Sequence, residues 1–340
     1  MSTTITHADP TFEELSRMVE ATGLTRPRLR YYTIKILSTL MLLAAGWAAF
    51  AVVGDSWLQL AVALYLGFAF TQIDFIGHDA GHRQIFRTRR PSDVVGYVHG
   101  NLLTGVSFGW WVQHHSRHHS YPNHLDRDPD ILRRQVIFTK EQRAGRPGRL
   151  NGFIIAHQSW MFFVLITLEG LRLHLAGFVA AARGALKRHR RLDLTVLTLH
   201  LAAYFGTVFL VLSPAKAVAF IAVHQMAFGF YMGLAFAPNH KGLPVRGGPK
   251  EELDWLHRQI LTSRNLRSSR FTDFMYGGLN YQIEHHLFPS MPRVNLRRVR
   301  PLVKDFCEKY DIPYAEVTVR ESYRQVAAHL ATVSAEVRDA

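Results

Sequence analysis

Three short segments of the chain carry histidines at spacings that suit metal binding. The densest is residues 113–119, in which four of seven residues are histidine. On a helix, His115, His118 and His119 would occupy positions i, i+3 and i+4 and therefore share one face. Neutral imidazole is the most common protein ligand of transition metals. This segment therefore predicts a metal site.

The other two segments repeat this spacing. His78 and His82 lie four residues apart, and His285 and His286 follow Gln282 at i+3 and i+4. For each segment alone, a polar surface or a hydrogen-bonded buried pair of histidines explains the residues as well as a metal site does. The same explanation is poor for three such segments in one chain. Together they offer seven imidazoles: His78, His82, His115, His118, His119, His285 and His286. Seven ligands are too many for one ion with an open position, so we expect two metal ions.

The cysteine count limits the kind of metal site. Cys307 is the single cysteine, which excludes an internal disulfide and a cysteine-ligated iron–sulfur cluster. Imidazole ligands favour iron, zinc or copper, and a redox role would select iron. Nearby carboxylates are candidates for orienting the imidazole rings, with ordinary solvated charges as the alternative; they are Asp79, Glu284, Asp126, Asp128 and Asp130.

The hydropathy pattern is typical of a membrane protein. Hydrophobic residues make up 48% of the 340 and charged residues only 19%, with a net charge of +14. No basic recognition helix or aromatic-studded basic sheet stands out, so nucleic acid is not an expected partner. Four uncharged or nearly uncharged stretches predict two spanning hairpins: 36–54 with 56–73, and 194–215 with 217–239. The Lys/Arg-rich segments then share one side, which places the histidine segments in the cytosol.

The predicted fold is all-α: an integral membrane protein with four transmembrane helices in two hairpins, interfacial helices and a cytosolic helical cap. Residues 152–169 are apolar enough to cross, but a fifth crossing would separate residues 282–286 from the other histidines. We therefore expect an interfacial helix there, and an in-plane or partly inserted element over 94–111.

Three regions are expected along the chain. Residues 1–30 form a cytosolic N-terminal segment, in which Thr11–Glu14 predicts a capping box rather than a signal peptide. Residues 31–290 form the membrane domain. Residues 291–340 form a cytosolic helical tail, with helices over 296–310 and 320–337 and an extended stretch near 313–319.

The order of these motifs resembles the membrane fatty acyl desaturases over roughly residues 35–310. The motifs are His78-x-x-x-His82, His115-x-x-His118-His119 and Gln282-x-x-His285-His286, with hairpins before the first and third. The flanking residues 77–82 and 282–289 are similar to bacterial acyl-CoA and acyl-lipid members. They are also similar to front-end desaturases, whose third motif commonly opens with glutamine.

This resemblance implies a non-haem centre of two iron ions that uses dioxygen to introduce a double bond into an acyl chain. It implies the seven histidines as ligands, and an eighth after the fourth span, for which His240 is the best match. Asn239 is a candidate for a water-mediated contact, and Gln282 for a weak ligand or a hydrogen-bond partner. His114 and Asp79 are expected beside the ligands. Several aromatic residues are candidates for an acyl tunnel: Trp110, Trp111, Trp160, Phe228, Phe230, Tyr231 and Phe236.

The resemblance also implies partners. The acyl substrate enters from the lipid bilayer, dioxygen is consumed, and two electrons come from an external donor because no His-Pro-Gly-Gly haem motif is present. A ferredoxin, its reductase or a cytochrome b5 would serve, and an acidic donor would dock on the basic face. The expected location is a bacterial cytoplasmic membrane, with the active site on the cytosolic face.

Two other functions stay open. A membrane hydroxylase of lipids or alkane-like substrates would use the same scaffold, although the Asn-Tyr-x-Glu-His-Tyr-Gly signature of alkane hydroxylases is absent. A non-enzymatic metal-binding membrane protein is the more distant alternative. The double-bond position, chain length, head group and oligomeric state do not follow from the residues.

Overall fold

The computed structural model describes residues 10–132, 135–186, 188–247 and 253–338, which are mostly helical. The α-helices of these residues are α1 (Phe12–Ala21), α2 (Leu29–Val53), α3 (Gln59–Gly81), α4 (Arg89–Gly96), α5 (Phe108–Ser120), α6 (Arg149–Ala156), α7 (Gln158–Leu165), α8 (Glu169–Ala182), α9 (Arg190–Val211), α10 (Pro214–His240), α11 (Trp255–Leu261), α12 (Arg270–Met275), α13 (Gln282–Leu287), α14 (Arg293–Lys309) and α15 (Val319–Arg338). A π-helix (Tyr97–Thr104) follows α4, and 3₁₀ turns cover Lys140–Arg143 and Ile166–Leu168. Two-residue strands, β1 (Asn265–Leu266) and β2 (Glu316–Val317), pair in parallel. The predicted all-α membrane class is confirmed.

Two antiparallel pairs of long apolar helices form the membrane part, α2 with α3 and α9 with α10. Their connecting turns meet: Asp55, between α2 and α3, accepts hydrogen bonds from the Ser213 backbone N–H at 2.9 Å and the Lys216 ammonium at 2.9 Å. Both turns therefore lie at the same end of the bundle, as two spanning hairpins require. On α2, Met41 and Val52 are 72% and 87% exposed, which suits a helix facing lipid.

Helix α3 lies at the centre of this bundle and packs closely against α10. A Cβ atom at Gly67 would lie 2.7 Å from the Ala227 Cβ atom and 2.8 Å from the Phe228 backbone nitrogen. A larger residue at Gly67 would force the two helices apart, as is common where small residues line a membrane helix contact. The surrounding core is aromatic and aliphatic and includes Phe50, Leu66, Phe70, Phe220 and Phe228.

A fifth helix, α7 continuing through the turn into α8, is also long and apolar enough to cross a membrane. It overlaps the segment expected to be interfacial. The Nε2 atoms of His118 and His240 lie 3.2 Å apart, so an even number of crossings separates these residues. Helices α9 and α10 would make two crossings of the membrane between these residues, so a third crossing by α7–α8 would make the number odd. If α9 and α10 both cross, α7–α8 therefore does not. The interfacial assignment and the count of four spans remain predictions, which this contact favours.

A second core forms the helical cap beside the bundle, between α1, α11, α13 and α14. Helix α1 begins as expected, with the Thr11 hydroxyl accepting the Glu14 backbone N–H at 3.2 Å. Helices α14 and α15 correspond to the two helices expected in the tail, and β2 lies in the extended stretch between them. Helix α15 packs against α7 and against the end of α10 that carries His240, where Ser322 donates to the Pro238 carbonyl at 2.7 Å.

Candidate metal centre

Four helices bring the histidines of the three motifs together. His78 and His82 lie at the end of α3, the second motif lies on α5, His240 is the last residue of α10, and the third motif forms the short α13. Their donor nitrogens form two clusters, within each of which the atoms lie within 4.8 Å of one another. The four-histidine group is His78, His82, His115 and His285, and the three-histidine group is His118, His240 and His286.

His119 lies between the two groups. Its Nε2 atom is 3.1 Å from the His115 Nε2 atom, and its ring stacks on that of His286 with centroids 4.1 Å apart. All eight histidines predicted as ligands therefore meet in one place, although the spacing within each motif did not require the distant motifs to converge. His119 contacts a ring of each group.

The ring orientations of the three-histidine group are set by oxygen acceptors. Each Nδ1 donates a hydrogen bond outward: His118 to Asp128 at 3.1 Å, His240 to the Thr262 carbonyl at 2.8 Å and His286 to Gln259 Oε1 at 2.9 Å. Gln259 in turn donates from Nε2 to the His119 carbonyl at 3.0 Å, which fixes its amide orientation. Because the proton lies on each Nδ1, each Nε2 carries a lone pair.

These lone pairs point at one another. The Nε2 atoms of His118 and His240 lie 3.2 Å apart, so with both Nδ1 protons directed outward a metal ion placed here could accept both lone pairs. The outward hydrogen bonds are also those that usually orient and strengthen a metal-bound histidine. The three-histidine group therefore fits a transition-metal ion.

The four-histidine group has buried nitrogens that lack partners in the described parts of the chain. These are His78 Nε2, His82 Nε2 and both ring nitrogens of His285. A buried polar atom without a partner costs about 1–3 kcal/mol, and metal coordination would remove that cost. Burial and the neighbouring imidazoles hold the pKa values of His82 and His285 well below the ordinary histidine value, so these rings stay neutral and able to coordinate.

His118 differs from the other rings in its electrostatics. Burial disfavours its protonation, but the Asp128 carboxylate outweighs burial and raises the pKa of His118. The same carboxylate also accepts the Asn123 backbone N–H at 2.8 Å, so Asp128 is itself held in place.

Nitrogen ligands in two groups, without a thiolate, suit two first-row ions such as iron.

The amide residues predicted beside the ligands adjoin the three-histidine group. Gln282 donates from Nε2 to the His240 Nε2 atom at 2.8 Å and accepts from Asn239 Nδ2 at 3.2 Å. Asn239 also donates to the Leu279 carbonyl at 3.1 Å, which ties α10 to the segment before α13. Gln282 is therefore placed as a hydrogen-bond donor to a ligand nitrogen.

The other two predicted neighbours, Asp79 and His114, lie at the edges of the site. Asp79 Oδ1 is 3.4 Å from His78 Nδ1, but its main partner is Arg293, with which it forms a buried ion pair. His114 pairs with Asp130 at 2.9 Å and belongs to neither group.

Two of the candidate carboxylates, those of Glu284 and Asp126, accept no hydrogen bond from an imidazole ring among the described residues. Glu284 turns away from the metal ligands and accepts from the Tyr314 hydroxyl at 2.6 Å and from Asn265 Nδ2 at 2.8 Å. Burial raises the pKa of Glu284 to about 6. Asp126 is exposed, and only its backbone N–H contacts a histidine, His124.

Sequence reasoning missed three residues that support the ligands. Gln259 and Thr262 accept the Nδ1 protons of two ligands, and Arg293 pairs with Asp79. None of them lies in a histidine motif. Arg293 is 214 positions from Asp79, so no local pattern could have indicated the pair.

The start of α5, which carries the second motif, is fixed by a buried carboxylate. Asp193 on α9 accepts from Asn101 Nδ2 at 2.9 Å, the Ser107 hydroxyl at 2.7 Å and the Gly109 backbone N–H at 3.1 Å. Ser107 also caps α5 by accepting the Trp110 N–H at 3.1 Å. These bonds hold the turn between the π-helix and α5, so the second motif is positioned by α9 as well as by α3.

A cavity of about 210 Å³ opens beside the histidines. For comparison, an apolar cavity of about 150 Å³ holds a benzene ring. Its lining includes the apolar side chains of Trp110, Trp111, Phe162, Ile166, Met232 and Phe236, together with His78, His115, His118 and His240. The cavity therefore offers an apolar guest direct contact with both histidine groups.

Only part of the predicted aromatic lining is correct. Trp110, Trp111 and Phe236 contact the cavity. Trp160, Phe228, Phe230 and Tyr231 do not line it: Trp160 is 53% exposed, and Tyr231 donates to the Met275 carbonyl at 2.7 Å. Helical spacing in α7 and α10 did not reveal which face of each helix met the cavity.

Known proteins resemble this chain over most of its length. The fatty acid desaturase family model matches residues 55–318. The acyl-lipid (9-3)-desaturase of Physcomitrium patens is 31% identical over 315 residues, covering 91% of this chain and 59% of the relative. The Delta(8)-fatty-acid desaturase 2 of Arabidopsis thaliana is 29% identical, covering 84% and 66%. The Delta(5) fatty acid desaturase of Caenorhabditis elegans is 30% identical, covering 89% and 69%. The chain spans less than two thirds of the length of the first two relatives.

Proposed function

Because the chain belongs to the fatty acid desaturase family, we propose that it is an oxygen-dependent fatty acyl desaturase holding two iron ions. One ion is held by the four-histidine group and the other by the three-histidine group, with His119 completing the set. The observation that carries this proposal is the meeting of two sets of imidazole nitrogens at the wall of an apolar cavity.

The metals supply the oxidative chemistry: with dioxygen, two electrons and two protons, they would remove two hydrogens from adjacent methylenes, giving a double bond and two waters. The chain's own residues set the geometry of that reaction. Asp128, Thr262 and Gln259 hold ligand rings in the tautomer that leaves Nε2 free.

The cavity positions the acyl chain. Its apolar wall excludes water and accepts methylenes, and its depth fixes which carbon atoms lie against the ligand rings. The cavity is also lined by the Glu169–Arg172 ion pair. In this pair Arg172 donates from Nη2 and Nε to the two Glu169 carboxylate oxygens, at 2.5 and 2.8 Å. The names of several relatives specify double bonds at defined positions, Delta(5) and Delta(8) among them, and this cavity is where such a preference would be set.

The proposal also includes the partners of the reaction. The substrate is an acyl chain carried on CoA or a lipid and drawn from the bilayer around the helical hairpins. The electrons come from a separate donor, a ferredoxin, a reductase or a cytochrome b5. The site faces the cytosol, because the Lys/Arg-rich segments and the histidine motifs lie on the same side of the bundle.

The test is to express the chain in a host that lacks the product and to analyse its acyl chains by gas chromatography. We expect a new unsaturated acyl chain from the wild type and none from His118→Ala. His157→Ala is the matched control, because His157 is exposed and bonds only to its own helix through the Phe153 carbonyl.

The product distinguishes the alternatives. A hydroxylated chain in place of the alkene would assign the protein as a hydroxylase. Normal unsaturated product from His118→Ala would overturn the proposal, and wild-type iron binding without any product would favour the metal-binding alternative.

A further inference from the structure

A basic groove runs along the face of α5 opposite the metal ligands. Its volume is about 700 Å³, and its walls come from the turn after α3, the start of α4, the outer face of α5 and the residues before α9. Five guanidinium groups line it against one carboxylate, that of Asp93; they belong to Arg83, Arg89, Arg117, Arg127 and Arg188. Concentrating this much positive charge in one concavity produces a strongly attractive potential for an anion.

Two of the five guanidinium groups, those of Arg83 and Arg117, are exposed and have no hydrogen bond or ion pair with any described residue. Arg89 contacts Asp93 at 3.4 Å, as an exposed pair within α4 that contributes little to stability. Arg127 lies over the Tyr121 ring, 4.8 Å from its centroid. The charges of Arg83, Arg89 and Arg117 therefore remain available to a ligand.

The groove lies at the level where helices leave the membrane. Arg83 is two residues beyond the end of α3, and Arg188 is two residues before the start of α9. Both helices are long and apolar enough to span a bilayer. The two opposite walls of the groove therefore sit at head-group depth, on the side of the histidine cluster.

An apolar stripe adjoins the groove on the same helical segment. Arg89, Asp93 and Tyr97 line the groove at intervals of four residues. The next stripe around the segment, formed by Val94, Val98 and Leu102, is 63%, 36% and 45% exposed. A charged pocket flanked by exposed aliphatic side chains matches an amphiphile whose head is anionic and whose tails are apolar.

From these observations we propose that the groove binds the phosphate head group of an anionic phospholipid, with the lipid tails lying along the Val94–Val98–Leu102 stripe. Guanidinium groups bind phosphate oxygens through paired N–H donors, and Ser116 lines the same groove. The volume is in the range of small-molecule sites, about 300–1,000 Å³.

This site is separate from the acyl cavity. Among the described residues, none that lines the groove also lines the cavity, and α5 lies between them. In this proposal the bound lipid is a resident of the membrane and not the acyl substrate, and the proposal does not depend on the desaturase reaction. We expect the bound lipid to stabilise the position of α5, whose other face carries the second histidine motif.

The experiment measures lipid retention by the full-length protein. Protein purified in mixed micelles of phosphatidylglycerol and phosphatidylcholine is examined by native mass spectrometry. We expect the wild type to retain phosphatidylglycerol selectively. Arg83→Gln/Arg117→Gln should lower that affinity about tenfold or more, because each arginine near an anionic lipid contributes appreciably to binding.

The control variant removes the same charge elsewhere. Arg298 and Arg320 are exposed on the cap, outside the groove, and Arg298→Gln/Arg320→Gln should retain phosphatidylglycerol as the wild type does. Iron content is measured in every sample, so that loss of lipid from a misfolded protein is recognised. If the iron content of the double variant falls, the single variants Arg83→Gln and Arg117→Gln replace it. Each single variant is expected to weaken lipid binding by a smaller factor.

Three results would overturn the proposal. One is a wild type that does not distinguish the two lipids, and another is equal loss from the groove and cap variants, which would reflect net charge alone. The third is a groove variant that keeps its lipid but is reduced more slowly by an acidic electron-donor protein, which would make the groove a protein docking surface.

Discussion

In the three-histidine group, every ring donates its Nδ1 proton to an oxygen of the protein, whereas in the four-histidine group His285 has no such partner among the described residues. In the four-histidine group, His78 Nδ1 lies 3.4 Å from Asp79 Oδ1, and ring packing adds to this contact: the Trp111 ring stacks on His115 with centroids 4.5 Å apart and lies edge-on to His78 at 5.3 Å. The three-histidine group therefore has an oxygen acceptor for every ring, and the four-histidine group does not.

This contrast teaches that the two metal sites depend on different parts of the chain. The three-histidine group depends on α11 and the residues after it, which supply Gln259 and Thr262. The four-histidine group depends on α3, whose end is tied to α14 by the buried Asp79–Arg293 pair. Substitutions outside the motifs should therefore affect the two sites separately.

The largest effect should come from removing one ligand of either group. His285 and His286 are adjacent on α13 but belong to different groups. We expect His285→Ala and His286→Ala each to abolish desaturation, because the proposed reaction needs a metal ion in each group. Gas chromatography of host lipids measures this, and unsaturated product from either variant would show that its group is dispensable.

Breaking the Asp79–Arg293 pair should have the next largest effect. Both side chains are buried, so Arg293→Met would leave an unpaired carboxylate and destabilise the protein by about 3–5 kcal/mol. Arg297→Met on the same helix is the control. Arg297 is exposed, and its ion pair with Asp273 is long, at 3.5 Å, so its loss should cost little stability. Thermal unfolding of the purified proteins measures both, and equal shifts in Tm would refute a special role for the buried pair.

Removing an outer acceptor should weaken the three-histidine group without destroying it. Gln259→Leu deletes the acceptor of the His286 Nδ1 proton, and we expect metal affinity to fall about 10–100-fold. In a chelator titration, one iron should then be released at a lower chelator concentration than from the wild type. The second iron should be released at the same chelator concentration as from the wild type. Gln259→Glu keeps an acceptor oxygen and should restore much of the affinity; equal losses from both variants would contradict the hydrogen-bond account.

The smallest effect is expected from Gln282, which donates to the His240 Nε2 atom. A bound metal would take that lone pair, so the donor is expendable, and Gln282→Leu should change metal affinity by less than about tenfold. The same chelator titration measures it. Loss of a whole iron from this variant would show that Gln282 is itself a ligand.

The sequence predicted the parts of the site that are local. Spacings of i, i+3 and i+4 place His115, His118 and His119 on one helical face whatever surrounds it, and an uncharged stretch of about 20 residues reports a spanning helix directly. His240 was found only through resemblance to a family, because a single histidine at a helix end carries no pattern of its own.

The parts that escaped prediction depend on tertiary contacts. Glu284 was expected to orient an imidazole, but the short α13 turns it toward Tyr314 and Asn265. Gln259 and Arg293 are ordinary polar residues until the fold brings them to His286 and Asp79. The groove beside α5 likewise combines arginines from five separate segments: the turn after α3, the start of α4, α5, the residues after α5 and the residues before α9.

The most direct test of the metal site is the number of iron ions bound per chain. The purified wild-type protein, loaded anaerobically with iron and freed of excess, should contain two, because the imidazoles form two groups. A ratio of one or less at saturation would contradict the assignment of both groups as metal sites.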